Sequence, residues 1–125
     1  LMAEKGDYSG AEEEYKKALA QDPNCERALE AIAVNYILQA QDLKEITATM
    51  SDRKEQLEND KKTIELYEAS LPYLEKFKDA LVASNADTSL LDGALMKLRN
   101  VYYNLSIMGV DKSAELSKIE EQLGL

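Results

Sequence analysis

The chain has 125 residues, a formal net charge of −9 and no histidine; 45% of its residues are hydrophobic and 31% are charged. This balance is typical of one folded domain and excludes a disordered chain, and the abundance of Ala, Leu, Glu and Lys favours an all-α fold. The acidic charge disfavours nucleic acid and anionic membrane surfaces as partners, and the lack of histidine removes the commonest general base and transition-metal ligand.

The first predicted helix runs from about Ser9 to Ala20, after a turn signal at Gly6-Asp7. Its apolar residues recur at three- and four-residue steps, so they share one face, while glutamates and lysines fill the other. These apolar residues are Tyr8, Ala11, Tyr15, Ala18 and Leu19. Asp22 and Pro23 then predict the start of the next helix, with Asp22 as its N-cap and Pro23 in its first turn.

The second predicted helix is also amphipathic, and large and small residues alternate on its apolar face. Ala18 and Ala33 allow a neighbouring helix to approach closely, and the tyrosines beside them fill the remaining space. The residues that share this face are Ala28, Leu29, Ile32, Ala33, Tyr36 and Ile37.

These two stretches together carry the pattern of a 34-residue repeat of two helices. Gly6, Tyr8, Ala11, Tyr15, Ala18 and Pro23 stand where the second helix and closing turn of such a repeat have them, and Leu29, Ile32, Ala33 and Tyr36 where the next repeat begins. The chain therefore resembles a tetratricopeptide repeat (TPR) protein. The resemblance implies a right-handed α-α superhelix of antiparallel helix pairs with a concave groove.

The resemblance divides the chain into a partial repeat (1–22), an extended repeat (23–84) and a degenerate repeat with a terminal helix (87–125). It also implies that Leu1 to Lys5 are the tail of a preceding helix, with Met2 in the place of its buried aromatic residue. The strings LPYLEKF and LRNVYYNL are similar to the C-terminal ends of bacterial TPR proteins of unassigned function, many of them exported. Cytoplasm and bacterial periplasm both remain open as compartments.

After Tyr36 the chain departs from the repeat pattern, and two interpretations of residues 43–66 compete: one long helix, or an elongated hairpin that turns near Met50 to Arg53. We favour the hairpin, because Asp52, like Ser51, can cap a new helix, with Glu55 placed as in a capping box. A single long helix would also leave its apolar stripe in water. That stripe comprises Leu43, Ile46, Met50, Leu57, Ile64, Tyr67, Leu71 and Leu74.

The second arm of this hairpin contains Pro72, which predicts a bend or a local irregularity between Glu68 and Pro72. The arm is expected to end near Ser84-Asn85. The charged segment from Ser51 to Lys62 is interpreted as a solvated hairpin tip, with a docking arm as the alternative.

A third helical unit follows the possible caps Asp87, Thr88 and Ser89, and ends at Gly109. Arg99 stands where the repeat usually has a small residue, so this repeat is degenerate. A last helix is predicted from about Lys112 to Leu123, with Gly124 as its stop. The buried face of the third unit is expected to comprise Leu91, Leu95, Leu98, Val101, Tyr102 and Leu105.

No catalytic, cofactor or metal site is expected. Consecutive glutamates such as Glu12, Glu13 and Glu14 point about 100 degrees apart on a helix and do not converge on one ion. Cys25 is the single cysteine, so no internal disulfide can form, and no histidine exists to activate its thiol. We expect it to be a partly buried packing residue.

The expected function is a non-catalytic scaffold that binds a peptide or helix of an unidentified protein partner in the concave groove. The alternative is a structural module that self-assembles through exposed helix faces, beginning with the apolar edge beside Tyr8 and Tyr15. By the resemblance, the groove would be lined by Arg27, Glu30, Val34, Ile37, Leu38, Met96, Asn100, Tyr103 and Asn104.

Overall fold

A computed structural model describes residues 8–125, and within that range the chain is entirely α-helical and turn, without strands. The all-α class is therefore confirmed. The expectations for Leu1 to Lys5, Met2 and Gly6-Asp7 fall outside the described residues. The five helices are α1 (Tyr8–Gln21), α2 (Glu26–Ala48), α3 (Arg53–Ala83), α4 (Thr88–Ile107) and α5 (Ser113–Leu123).

Each helix packs against the next one along the chain, and the α2–α3 pair is the most extensive contact. The main hydrophobic cluster runs from α2 to α5 and includes Ala33, Tyr67, Leu98 and Ile119. A second cluster joins Leu29, Phe77, Leu81 and Ala94. Because both clusters draw on α2, α3 and α4, these three helices form the centre of the domain.

The start of α2 differs from the prediction at Asp22. The backbone N–H of Asn24 donates to the Asp22 carboxylate at 3.1 Å, and the N–H of Cys25 donates to the Asp22 carbonyl at 3.1 Å. Asp22 and Pro23 thus belong to a turn, and α2 begins at Glu26 with Cys25 as its N-cap. The prediction of Asp22 as N-cap was wrong, because its short side chain is satisfied locally within the turn.

The elongated hairpin is confirmed, and the alternative of one long helix is wrong. Helix α2 ends at Ala48 and α3 begins at Arg53. The Asp52 carboxylate accepts a hydrogen bond from the N–H of Lys54 at 2.9 Å, which is the capping interaction that the sequence predicts. The side-chain amide of Gln56 reaches back to the Met50 carbonyl at 2.6 Å and closes the turn.

Helix α3 continues through Pro72 without interruption from Arg53 to Ala83. The missing N–H of Pro72 leaves the carbonyl of Glu68 without its helical donor. Both residues are exposed, so water can donate a hydrogen bond to that carbonyl instead. The helix ends at the C-cap Ser84, as predicted, and Asn85 follows in the left-handed region with φ 55°.

The C-terminal elements follow the predicted stops. Gly109 (φ 96°) lies in the turn after α4, and Gly124 (φ 77°) ends α5. The Asp111 carboxylate accepts from the hydroxyl and the N–H of Ser113, which lowers its pKa and fixes the entry into α5. The predicted buried face of α4 is confirmed, with Leu91 half-buried and the other five residues buried.

The alternation of large and small residues leads to close packing in α1 and α2. Ala11 and Ala33 are 0% exposed, and Ala18 is half-buried. Tyr8, Tyr15 and Tyr36 are half-buried beside them. Small residues thus lie at the interior positions of these helices, where adjoining helices approach most closely.

Candidate binding surface on helix α4

The face of α4 opposite the core forms a continuous line that we call the α4 stripe. Its residues recur at alternating four- and three-residue steps, which keeps them on one side of a helix. The stripe consists of Ser89, Gly93, Met96, Asn100, Tyr103 and Ile107. All six side chains are uncharged, in a chain in which 31% of residues are charged.

The stripe exposes large apolar groups to solvent. Met96 is 46% exposed, Tyr103 is 55% exposed and Ile107 is 60% exposed. Solvated helix faces elsewhere in the chain carry charges, as in the Glu13, Glu14, Lys16 and Lys17 face of α1. A line of exposed apolar and amide side chains without charge is the surface pattern that marks interaction sites.

A surface cavity of about 720 Å³ lies along this stripe, lined by Gly93, Met96, Lys97, Arg99, Asn100 and Tyr103. Two ion pairs flank it. On the α2 side, Lys97 Nζ lies 3.3 Å from the Glu30 carboxylate. On the α5 side, Arg99 Nε donates to the Glu120 carboxylate at 3.0 Å. The cavity therefore has an apolar floor between two locally neutralised walls.

A second cavity of about 260 Å³ adjoins the first at the junction of α2, α3 and α4. Its apolar side comes from Phe77, Leu81 and Leu90, and its polar rim includes Arg27 and Glu30. Gly93 and Lys97 line both cavities. The two cavities thus meet at these residues and form a depression along α4 from Leu90 to Tyr103.

The structure separates the predicted groove residues into four groups. Met96, Asn100 and Tyr103 line the larger cavity, and Arg27 and Glu30 line the smaller one. Val34 and Leu38 are half-buried in α2. Ile37 and Asn104 have other roles, described next.

Ile37 was wrongly assigned to the groove. It is 8% exposed and belongs to the main hydrophobic cluster with Tyr67 and Leu98. The resemblance implied that Ile37 lines the groove, but its side chain lies in a cluster formed with residues of α3 and α4. It is a core residue.

Asn104 is half-buried and fully engaged within the chain. Its side-chain oxygen accepts from Lys44 Nζ at 3.0 Å, and its amide donates to the Asn100 carbonyl at 2.8 Å. Together with Glu30–Lys97, the Lys44–Asn104 bond ties α2 to α4 at two points. Both contacts lie on the side of α4 that faces α2.

Sequence reasoning missed Ser89, Gly93 and Ile107. The available signal was the step pattern itself, since extending Met96, Asn100 and Tyr103 by three and four residues reaches all of them. The resemblance directed attention only to the positions that it implies. The complete stripe became visible only once the core side of α4 was fixed.

The buried tyrosines use their hydroxyls within the fold. Tyr8 donates to the Asp42 carboxylate, and this bond is the main cause that raises the pKa of Tyr8 to about 12. Burial, followed by a hydrogen bond to Glu12, raises the pKa of Tyr36. Tyr103 in the α4 stripe is exposed instead, so its ring and hydroxyl are accessible to a partner.

Cys25 is a free, half-buried cysteine at the N-cap of α2, in keeping with a packing residue. Within residues 8–125, no group of three or more Asp, Glu or Cys side chains is arranged to hold a metal ion. None of the five described helices combines the length and apolar character that a membrane crossing requires.

In comparisons with known proteins, no protein-family model, curated protein or solved structure matches the chain.

Proposed function

We propose that this chain is a non-catalytic protein-interaction scaffold of the TPR type, and that it binds a peptide or helix of a protein partner along the α4 stripe. The observation that carries the proposal is the uncharged, partly apolar stripe on a solvent-facing helix of a strongly charged chain. Exposed aromatic and methionine side chains around a cavity are typical anchors of protein interfaces.

The TPR assignment is supported by three features. Helices that follow one another along the chain pack together. Ala11 and Ala33 lie fully buried at helix contacts. Helices α2 and α4, which correspond to first helices of successive repeats, are joined by Glu30–Lys97 and Lys44–Asn104. In a TPR superhelix the first helices line the concave groove.

The depression suits a helical or extended segment with apolar anchors. It runs from Leu90 to Tyr103, which at 1.5 Å per residue is about 20 Å, or roughly four helical turns. Met96 and Tyr103 would contact apolar anchors of the partner. The amide of Asn100 and the rim residue Arg27 would set the direction and register of the segment.

The test uses a displayed library of random peptides, selected on the immobilised chain. Selected peptides should bind in solution, and the double substitution Met96→Asp/Tyr103→Asp should weaken binding by at least about tenfold, because charges would enter the apolar floor. The matched control is Val82→Asp, since Val82 is equally exposed (57%) but lies on α3. Peptides that bind the double variant as tightly as the unmodified chain would contradict the proposal.

A further inference from the structure

The α4 stripe has the spacing of the a and d positions of a coiled-coil heptad. Its six residues are placed symmetrically about Leu98. Ser89 and Ile107 are equally far from Leu98 along the helix, as are Gly93 and Tyr103. Met96 and Asn100 form the innermost pair.

The residues at these symmetric positions have complementary sizes. The N-terminal half of the stripe carries small side chains at Ser89 and Gly93, and the C-terminal half carries large ones at Tyr103 and Ile107. An identical helix laid antiparallel over α4 would therefore place Tyr103 above Gly93 and Ile107 above Ser89. A parallel helix would place Tyr103 against Tyr103 and leave a gap at the glycines.

We propose that a second copy of this chain binds the α4 stripe in an antiparallel, two-fold symmetric arrangement, with Tyr103 of each copy seated over Gly93 of the other. The inference rests on the proposed function, since it takes the same stripe to be the binding surface and names one occupant of it. Self-association and binding of a partner peptide would then exclude each other.

Gly93 provides independent support for this arrangement. A Cβ atom added at Gly93 would meet nothing within 4 Å, so packing inside the chain does not require glycine there. Glycine within a helix lowers its stability relative to alanine. The missing side chain at Gly93 would leave room for a bulky side chain of another molecule. In the antiparallel arrangement, that side chain is Tyr103 of the second copy.

The charges beside the stripe are compatible with contact between identical chains. Two chains of net charge −9 repel each other, but α4 is the one helix of the five described in which basic residues outnumber acidic ones, with Lys97 and Arg99 against Asp92. Near the symmetry axis, Lys97 is paired with Glu30, and Arg99 with Glu120. The antiparallel arrangement brings Lys97 near Lys97 of the other copy and Arg99 near Arg99, and each of these cations keeps the carboxylate partner of its own chain.

Sedimentation equilibrium over a concentration series up to about 1 mM, the weak end of measurable association, tests this inference. We expect a reversible dimer. Gly93→Tyr should abolish it by steric clash, and Tyr103→Ala should weaken it at least tenfold. The double variant Gly93→Tyr/Tyr103→Ala should restore it, because the large and small positions are exchanged in both copies. Circular dichroism checks that each variant is folded.

A cross-linking experiment tests the orientation, in a Cys25→Ser background. Mixing the Gly93→Cys and Tyr103→Cys chains under oxidising conditions should give the mixed disulfide in preference to either homodimer. A dominant disulfide between two Gly93→Cys chains would overturn the antiparallel arrangement. A chain that stays monomeric to about 1 mM, or a dimer unchanged by both single substitutions, would overturn self-association through α4.

These outcomes are separable from those of the proposed function. If the chain is monomeric and its stripe still binds selected peptides, only the inference of self-association is contradicted. If the chain forms the symmetric dimer and no stripe-binding peptide can be selected, the proposed function is contradicted, and the stripe is a homodimer surface.

Discussion

The hydroxyl of Tyr102 donates a hydrogen bond to the Glu75 carboxylate at 2.9 Å and so joins α4 to α3. The ring of Tyr102 lies in the main hydrophobic cluster, and the residue is 5% exposed. Burial, followed by the bond to Glu75, raises the pKa of Tyr102 above its ordinary value. The same side chain thus contributes both apolar burial and a polar link at the helix contact that supports the α4 stripe.

This arrangement predicts that the fold loses stability at alkaline pH. A phenol whose pKa is higher in the folded state than the unfolded value of about 10 favours folding below pH 10, and this contribution is lost as pH rises towards the folded pKa. Tyr8 and Tyr36 have raised pKa values as well. Urea unfolding between pH 8 and pH 12 should therefore show a decreasing free energy of unfolding above about pH 10.

Tyr102→Phe should reduce the slope of that decrease and cost about 1 kcal/mol at neutral pH, because exposed Glu75 is rehydrated when the bond is lost. Tyr103→Phe is the control, since Tyr103 is 55% exposed and lies on the same helix. An unchanged slope in Tyr102→Phe would show that Tyr102 does not contribute to the alkaline transition.

The assignment of Ile37 to the core predicts a large loss of stability on truncation. Ile37→Ala should lower the free energy of unfolding by about 2–5 kcal/mol, since it removes buried methyl groups and leaves a cavity. Tyr103→Ala should stay within about 0.5 kcal/mol at concentrations where the chain is monomeric, as is usual for surface positions. Urea denaturation followed by circular dichroism measures both, and equal effects would contradict the separation of core from stripe.

The capping bond at the turn of the elongated hairpin predicts that two N-cap aspartates contribute differently to the stability of the fold. The Asp52 side chain accepts a bond from the N–H of Lys54, whereas Asp87 at the start of α4 makes no side-chain capping bond. Asp52→Ala should therefore cost about 1 kcal/mol, and Asp87→Ala clearly less. The comparison uses the same urea assay, and a larger effect at Asp87 would refute the difference in capping.

Replacing Pro72 is expected to increase the stability of the fold. It lies in the interior of α3 and is exposed, so Pro72→Ala would restore the N–H that the Glu68 carbonyl lacks and keep the packing intact. We expect the free energy of unfolding to rise by about 1–3 kcal/mol. Glu65→Ala, at an exposed position of the same helix, serves as a control for general surface effects on α3. A loss of stability in Pro72→Ala would mean that the proline imposes a curvature on which the packing of α3 depends.

Much of the fold could be predicted from the sequence because its signals are local. The three- and four-residue steps of Ala11, Ile32 and Leu98 depend only on helical geometry, and the capping role of Asp52 involves residues two positions apart. The left-handed positions of Gly109 and Gly124 are likewise set within a single turn.

The site could be predicted only in part, because exposure depends on what packs above each helix. Met96, Asn100 and Tyr103 were placed on one surface by the resemblance, and all three line the larger cavity. Ile37 shares the apolar face of α2 in the sequence pattern, but the resemblance placed it in the groove, and the structure shows that it is a core residue. The start of α2 was predicted wrongly for a more local reason. The Asp22 carboxylate can accept a hydrogen bond from the N–H groups of a helix or of a turn, and the local sequence does not decide between them.

The sequence by itself determined the helical content, the hairpin and the apolar side of each helix, since these follow from periodicity and capping within a few residues. The tertiary structure decided which outward faces remain open. The ion pairs Glu30–Lys97 and Arg99–Glu120 and the burial of Ile37 are contacts between helices. These contacts leave the α4 stripe uncovered, which is why we propose it as a binding surface.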